Sequence, residues 1–184
     1  MVVASYLLFV PPIVGVADQP DYVRISYPAG LAAPPGLSYQ QRYGCWLIPR
    51  WDLVPPRDTP DFTTAVLPVR VAVLLRRILF TGSTFDIRWA AGVHLALLCS
   101  LILVILKKAR TLPMAAYLAI ALGMVAVCTD SAYLAYFNSL YSETAALLGV
   151  FAFLGAGLAA VITDEPSRPH MAALVAASAF LTGK

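Results

Sequence analysis

The chain has 184 residues, of which 60% are hydrophobic and only 12% are charged. Soluble domains are about 25% charged, and a chain of this length cannot bury so much apolar surface in a soluble core. The composition therefore predicts an integral membrane protein and disfavours a soluble domain. The formal net charge is +3 and the basic residues are scattered, so nucleic acid is not an expected partner.

The three cysteines give no indication of a cofactor. Cys99 and Cys128 lie in apolar runs, where they are expected to pack, and Cys45 stands alone in a polar region. The sequence has no CxxC pair and no other metal-ligand spacing. It therefore predicts neither a disulfide framework nor a zinc site.

The N-terminal run, residues 2–16, is apolar but is interrupted by Pro11 and Pro12. It is short for a membrane span, which needs about 20 residues. Small residues at 15–17 would suit signal-peptide cleavage, but no Lys or Arg precedes the run, as a signal peptide requires. We interpret residues 2–16 as a retained first span, with a cleaved signal peptide as the alternative.

Residues 18–88 form a long polar region that is expected to lie outside the bilayer. Prolines this dense are expected to exclude a long helix and a central strand, and the frequent Tyr and Trp suit a segment at headgroup level. The pattern predicts a long ordered loop or a set of short helices. The prolines from residue 20 to residue 60 are Pro20, Pro28, Pro34, Pro35, Pro49, Pro55, Pro56 and Pro60.

Within that region, residues 64–80 mix Leu and Val with Arg70, Arg76 and Arg77. Three arginines cost too much in a lipid-buried span. Arg70 and Arg77 are seven positions apart and fall near one helical face, which predicts an amphipathic helix in the interface. Such a helix either anchors the loop or holds an anionic lipid phosphate.

Residues 89–106, 114–128 and 144–162 read as membrane spans, and residues 171–184 as a partial span. The sequence thus predicts an all-α polytopic membrane protein with about four to five transmembrane helices and a long extracytoplasmic first loop containing an interfacial helix. Residues 1–184 form one membrane domain, and the chain is expected to be a fragment truncated within a span.

The basic turn at 107–112 places that loop inside the cell by the positive-inside rule. Alternating spans then put residues 18–88 and the sequence YFNSLYSE (residues 136–143, the 136–143 motif) on the same outer face. Both segments carry carboxylates and aromatics. They are therefore able to contribute to one site.

Asp18 and Asp21 are the first candidates for chemistry. They lie three residues apart, so on a helical turn they share a face. Desolvation near the bilayer would raise their pKa values toward that of a general base. The same Asp-x-x-Asp spacing suits a helix cap or turn, and for a divalent cation two carboxylates are weak evidence.

The second candidates lie around the 136–143 motif. Asn138, Tyr141 and Glu143 are polar groups at the predicted outer face, and Arg24 in the outer loop suits phosphate recognition. We expect these four residues to bind substrate. The alternative for Glu143 is the ordinary one, a Ser142 cap followed by an acidic first turn. His94, alone in an apolar span, is expected to be a packing residue.

The layout resembles the N-terminal part of bacterial multi-pass glycosyltransferases of the GT-C class. The resemblance rests on a first span leading into ADQPDYVRI (residues 17–25), then a long outer loop, then spans and the 136–143 motif. It implies transfer of a sugar from a polyprenyl-phosphate donor on the outer face of the cytoplasmic membrane. It also implies that the acidic residue after the first span, here Asp18 or Asp21, is the catalytic base.

The alternative is a non-catalytic membrane component, such as a scaffold or a transporter part. The carboxylates would then be helix caps and the aromatics an interface belt. A transporter would favour polar residues at mid-span and broken helices, whereas polarity here gathers at the outer edge. That distribution favours the glycosyltransferase.

Overall fold

A computed structural model of the protein describes residues 2–17, 22–43, 47–60, 63–163 and 168–183. The chain is mostly helical. Its elements, in chain order, are α1 (Val2–Phe9), α2 (Val23–Ala29), β1 (Leu31–Ala32), α3 (Tyr39–Tyr43), β2 (Arg50–Leu53), α4 (Val66–Leu79), β3 (Thr84–Asp86), α5 (Arg88–Ala109), α6 (Met114–Thr129), α7 (Ser131–Ala135), a 3-10 turn (Tyr136–Asn138), α8 (Ser142–Ile162) and α9 (Arg168–Thr182).

Two helices in the described part of the chain are long and apolar enough to cross a membrane, namely α5 with 22 residues and α8 with 21. A third span is formed if α6 and the following Ser131–Asn138 segment are counted together, although they are bent by 54°. The predicted spans at 89–106, 114–128 and 144–162 each correspond to one of these helices. The predicted total of four to five spans is not confirmed.

The N-terminal helix differs from the predicted span at residues 2–16. Helix α1 ends at Phe9 after eight residues. Pro11 and Pro12 follow after Val10, and neither can donate the backbone hydrogen bond that would continue the helix. Residues 10–17 are non-helical, and the Val14 amide turns back to donate to the carbonyl of Leu7 at 2.9 Å.

The proline-rich region contains a small antiparallel sheet with strand order β1-β2-β3. The prediction that prolines exclude a central strand is therefore wrong. Strand β2 fits between Pro49 and Pro55, in a stretch that has no proline of its own. Trp51 and Phe85 are fully buried under the sheet, and the ring of Tyr22 meets Trp51 edge to face at 5.0 Å. We call the three strands, together with Tyr22 packed on them, the sheet subdomain. Its buried side chains form one apolar cluster with residues at the adjoining end of the helical bundle.

Helix α4 has the amphipathic form that its sequence predicts. One face packs into the sheet subdomain and against α5. The other leaves a continuous apolar stripe exposed at helical spacing, formed by Leu67, Val71, Leu74, Leu75, Ile78 and Leu79.

The arginines of α4 hold local structure. Arg70 Nε donates to the Pro28 carbonyl at 3.0 Å, and Arg77 donates to Val54 at 3.2 Å. Arg76 caps the end of its own helix by donating to Phe80 at 2.6 Å. These bonds favour the anchoring interpretation over phosphate binding.

Helix α9 packs along α8 and returns toward the sheet subdomain. The Thr64 hydroxyl donates to the Phe180 carbonyl at 2.8 Å, and the Thr64 amide donates to Gly183 at 2.7 Å. The close approach depends on Gly149, where a Cβ would lie 3.1 Å from the Leu181 Cα. The segment predicted as a partial span is thus a packed helix whose end reaches the start of α4.

Candidate functional site

The 136–143 motif occupies the break between the bent α6–α7 segment and α8, at the end of the bundle that bears the sheet subdomain. Asp130 caps α7 by accepting from the Ala132 amide at 2.8 Å. The carbonyl of Tyr136 then accepts from both the Ser139 and Thr144 hydroxyls, at 2.7 and 2.8 Å. These bonds hold the motif as a tight turn before α8.

Asn138 and Tyr141 bind the N-terminal segment. Asn138 is fully buried, and its Nδ2 donates to the carbonyls of Leu8 at 3.0 Å and Val14 at 2.8 Å. The Tyr141 hydroxyl donates to the Ala17 carbonyl at 2.8 Å. We call these three hydrogen bonds the N-terminal clasp. The clasp joins residues more than 120 positions apart and fixes the chain up to Ala17, the residue before Asp18.

His94 supports the motif from within α5. It is buried, its Nδ1 lies 3.2 Å from the Phe137 carbonyl, and its ring meets the Phe137 ring edge to face at 5.7 Å. The prediction that His94 is a packing residue agrees with these contacts. His94 thereby gives the Phe137 carbonyl of the motif a polar partner.

Glu143 lies in the first turn of α8, half-buried, and lines a groove between α6 and α8 of about 760 Å³. Its Oε2 is buried and has no hydrogen-bond partner among the described residues. The expected Ser142 cap is not formed, because Ser142 is the first helical residue and the cap position is taken by Tyr141, whose side chain makes no capping hydrogen bond. The Asn138 Oδ1 is also buried, and the part of the chain that the structure describes offers it no hydrogen-bond donor.

A second cavity, of about 600 Å³, lies where α1, α4 and α5 meet. Arg88 and Asp86 line it as a paired fork, with Nε to Oδ1 at 2.8 Å and Nη2 to Oδ2 at 2.6 Å. Burial raises the pKa of Asp86, but hydrogen bonds and charge from Arg88, with a smaller contribution from Arg50, outweigh it and leave that pKa below its ordinary value of 3.8. Asp86 is therefore a carboxylate at neutral pH.

The remaining predicted site residues are distributed as follows. Arg24 is an exposed residue of α2. Asp18 and Asp21 lie outside the described residues. Within the described ranges, no group of three or more His, Cys, Asp or Glu side chains is placed to hold a metal ion.

Comparison with known proteins adds one match. The family described as "YfdI N-terminal transmembrane domain" matches residues 1–184. The chain belongs to this family. No curated protein and no solved structure matches it.

Membership of this transmembrane-domain family agrees with a membrane-embedded helical protein. Asn138 and Tyr141, which the sequence predicts to bind substrate, donate through their amide and hydroxyl to backbone carbonyls. The α6–α8 groove and the Asp86–Arg88 pair were not predicted from the sequence. The Asp-x-Arg spacing before an apolar run was the available signal for the pair.

Proposed function

We propose that this chain is the N-terminal membrane part of a GT-C-like glycosyltransferase. In this proposal it acts on the outer face of the cytoplasmic membrane and takes a sugar from a polyprenyl-phosphate donor. The observation that carries the proposal is the hydrogen bond from Tyr141 to Ala17. It ties the 136–143 motif to the chain position that immediately precedes Asp18, as a shared site requires.

The proposed chemistry is a displacement at the anomeric carbon. One carboxylate, Asp18 or Asp21, accepts the proton of the acceptor hydroxyl as that oxygen bonds to the sugar carbon. The bond from the sugar carbon to the phosphate oxygen breaks, and polyprenyl phosphate leaves with the electron pair. A guanidinium such as that of Arg24 would stabilise the leaving phosphate.

Transfer by the full-length protein in lipid vesicles tests this proposal. A panel of polyprenyl-phosphate hexoses is supplied with outer-face acceptor glycan, and release of polyprenyl phosphate is measured. Asp18→Asn or Asp21→Asn should lower the rate at least about 100-fold, as expected for loss of a general base. Asp58→Asn is the matched control, because Asp58 is an exposed residue of the same region and should retain the rate.

A non-catalytic scaffold is the second candidate, and the N-terminal clasp itself favours it. Each hydrogen bond of the clasp is donated to a backbone carbonyl. A contact with a purely structural role would have the same form. In that case both aspartate variants would behave like Asp58→Asn. Wild-type protein would also release no polyprenyl phosphate above the rate of empty vesicles.

A further inference from the structure

The groove between α6 and α8 has the form of a site for a hydrocarbon chain. It follows the two helices over several turns, and its walls are almost entirely aliphatic and aromatic. A Cβ at Gly123 would meet nothing within 4 Å, so the groove is open at that glycine. The principal wall residues are Ile120, Met124, Val127, Leu147, Val150 and Leu154.

The polar groups of the groove gather at its motif end. Tyr133, Tyr136, Glu143 and Thr144 line it there. The Thr144 hydroxyl is already donated to the Tyr136 carbonyl. The Oε2 of Glu143 is buried and receives no hydrogen bond from the described residues. A buried acceptor without a donor is unfavourable unless a ligand supplies that donor.

The charge of this end restricts the ligand further. A carboxylate accepts hydrogen bonds and repels other anions. None of the described residues that line the groove is a lysine or an arginine, so a phosphate beside Glu143 would have no cation to pair with. A hydroxyl, by contrast, would satisfy Oε2 with a charge-assisted hydrogen bond.

We infer that the α6–α8 groove binds the hydrocarbon chain of an uncharged, hydroxyl-bearing amphiphile whose hydroxyl donates to Glu143. Under the proposed function, on which this biological role rests, the amphiphile is a lipid-borne sugar acceptor. The binding itself does not depend on transfer. It is therefore tested separately from the aspartates.

The test uses full-length protein in phosphatidylcholine nanodiscs and two photoreactive probes of equal chain length. One is a diazirine-bearing dodecyl glucoside and the other a diazirine-bearing dodecyl phosphate. After illumination, labelled peptides of α6 and α8 are quantified by mass spectrometry. We expect the glucoside to label them at least tenfold more than the phosphate.

Three variants separate the head and the tail of the site. Glu143→Leu removes the acceptor and should lower glucoside labelling at least tenfold. Glu143→Gln keeps a neutral acceptor and should bring labelling by the two probes within threefold of each other. Gly123→Phe should fill the groove and abolish labelling. Val125→Phe is its control, since Val125 lies two residues further on α6, is 57% exposed and does not line the groove.

Equal labelling by both probes in the wild type would overturn the inference and make the groove an ordinary acyl-chain contact. Unchanged labelling in Glu143→Leu, or equal losses in Gly123→Phe and Val125→Phe, would overturn it too. None of these three results bears on the aspartates, because the labelling experiment does not measure sugar transfer. Loss of sugar transfer in Asp18→Asn with intact glucoside labelling would leave both proposals standing. Size-exclusion profiles of each variant establish that it is folded.

Discussion

Removing the amide of Asn138 should loosen the whole N-terminal segment. The change Asn138→Leu keeps the side-chain size but deletes two hydrogen bonds, to Leu8 at 3.0 Å and Val14 at 2.8 Å. Each buried carbonyl that loses its partner costs about 1–3 kcal/mol. The substitution also removes the buried Oδ1 of Asn138, which has no donor within the described ranges, and this offsets part of that cost. The expected loss is about 2–4 kcal/mol, a large share of a typical unfolding free energy of about 5–15 kcal/mol.

The assay is denaturant unfolding in detergent micelles, followed by circular dichroism. Tyr141→Phe is the graded comparison, because it removes a single hydroxyl hydrogen bond to Ala17 and should cost about 1 kcal/mol. Ser139→Ala is the local control, since its hydroxyl bonds only within its own turn, to Tyr136. An Asn138→Leu variant no less stable than Ser139→Ala would refute the clasp as a tertiary anchor.

Three further predictions concern helix packing, pH and the membrane surface. Gly149→Ala should cost about 1–3 kcal/mol of unfolding free energy because its Cβ meets backbone at 3.1 Å. Gly157→Ala, whose Cβ meets nothing, should be neutral or stabilising in the same assay. The lowered pKa of Asp86 stabilises the fold above pH 3.8, so the free energy of unfolding should fall as pH drops through the folded pKa. Asp86→Asn should lack that fall. An identical pH profile in the two proteins would refute the contribution of Asp86 to acid unfolding. A nitroxide on Ile78→Cys, on the exposed apolar face of α4, should relax more with oxygen than with a water-soluble nickel chelate in bilayers; the reverse order would place that face in water.

The long spans were predictable because their signal is local. Helices α5 and α8 begin and end within about three residues of the predicted limits. An uninterrupted apolar run has to satisfy its backbone internally in lipid, which makes a helix the only choice. The length of α1 was overestimated because the apolar composition continues past Phe9, while Pro11 and Pro12 end the helical hydrogen-bonding pattern.

The sheet was not predictable because its strands pair with partners far along the chain. Strand β2 is four residues long, and its partner β3 lies about thirty residues further along the chain, beyond α4. The prolines around β2 led to the wrong expectation of no central strand, because the proline-free residues 50–53 pair with β3, Trp51 opposite Phe85. Short strands gain their stability from such non-local pairs, which leave no periodic signal in the sequence.

In the candidate site, too, local features could be predicted from the sequence and long-range contacts could not. The 136–143 motif was recognisable as a polar, aromatic stretch between apolar runs. The roles of Asn138 and Tyr141 were not, because their partners lie 124–130 residues away in the N-terminal segment. A carbonyl acceptor carries no side-chain identity, so no spacing of residue types reveals which backbone atom a buried amide will reach.

We propose as the central claim that the acidic stretch after Ala17, the residue bound by Tyr141 of the 136–143 motif, performs sugar transfer in the full-length protein. The most direct measurement profiles cell-envelope glycans by mass spectrometry in a deletion strain expressing Asp18→Asn, Asp21→Asn or Asp58→Asn beside wild type. The account predicts loss of one defined sugar in the Asp18 or Asp21 variant, at normal protein level, with Asp58→Asn unchanged. Wild-type glycans in all three strains would contradict it and leave the clasp as a structural contact.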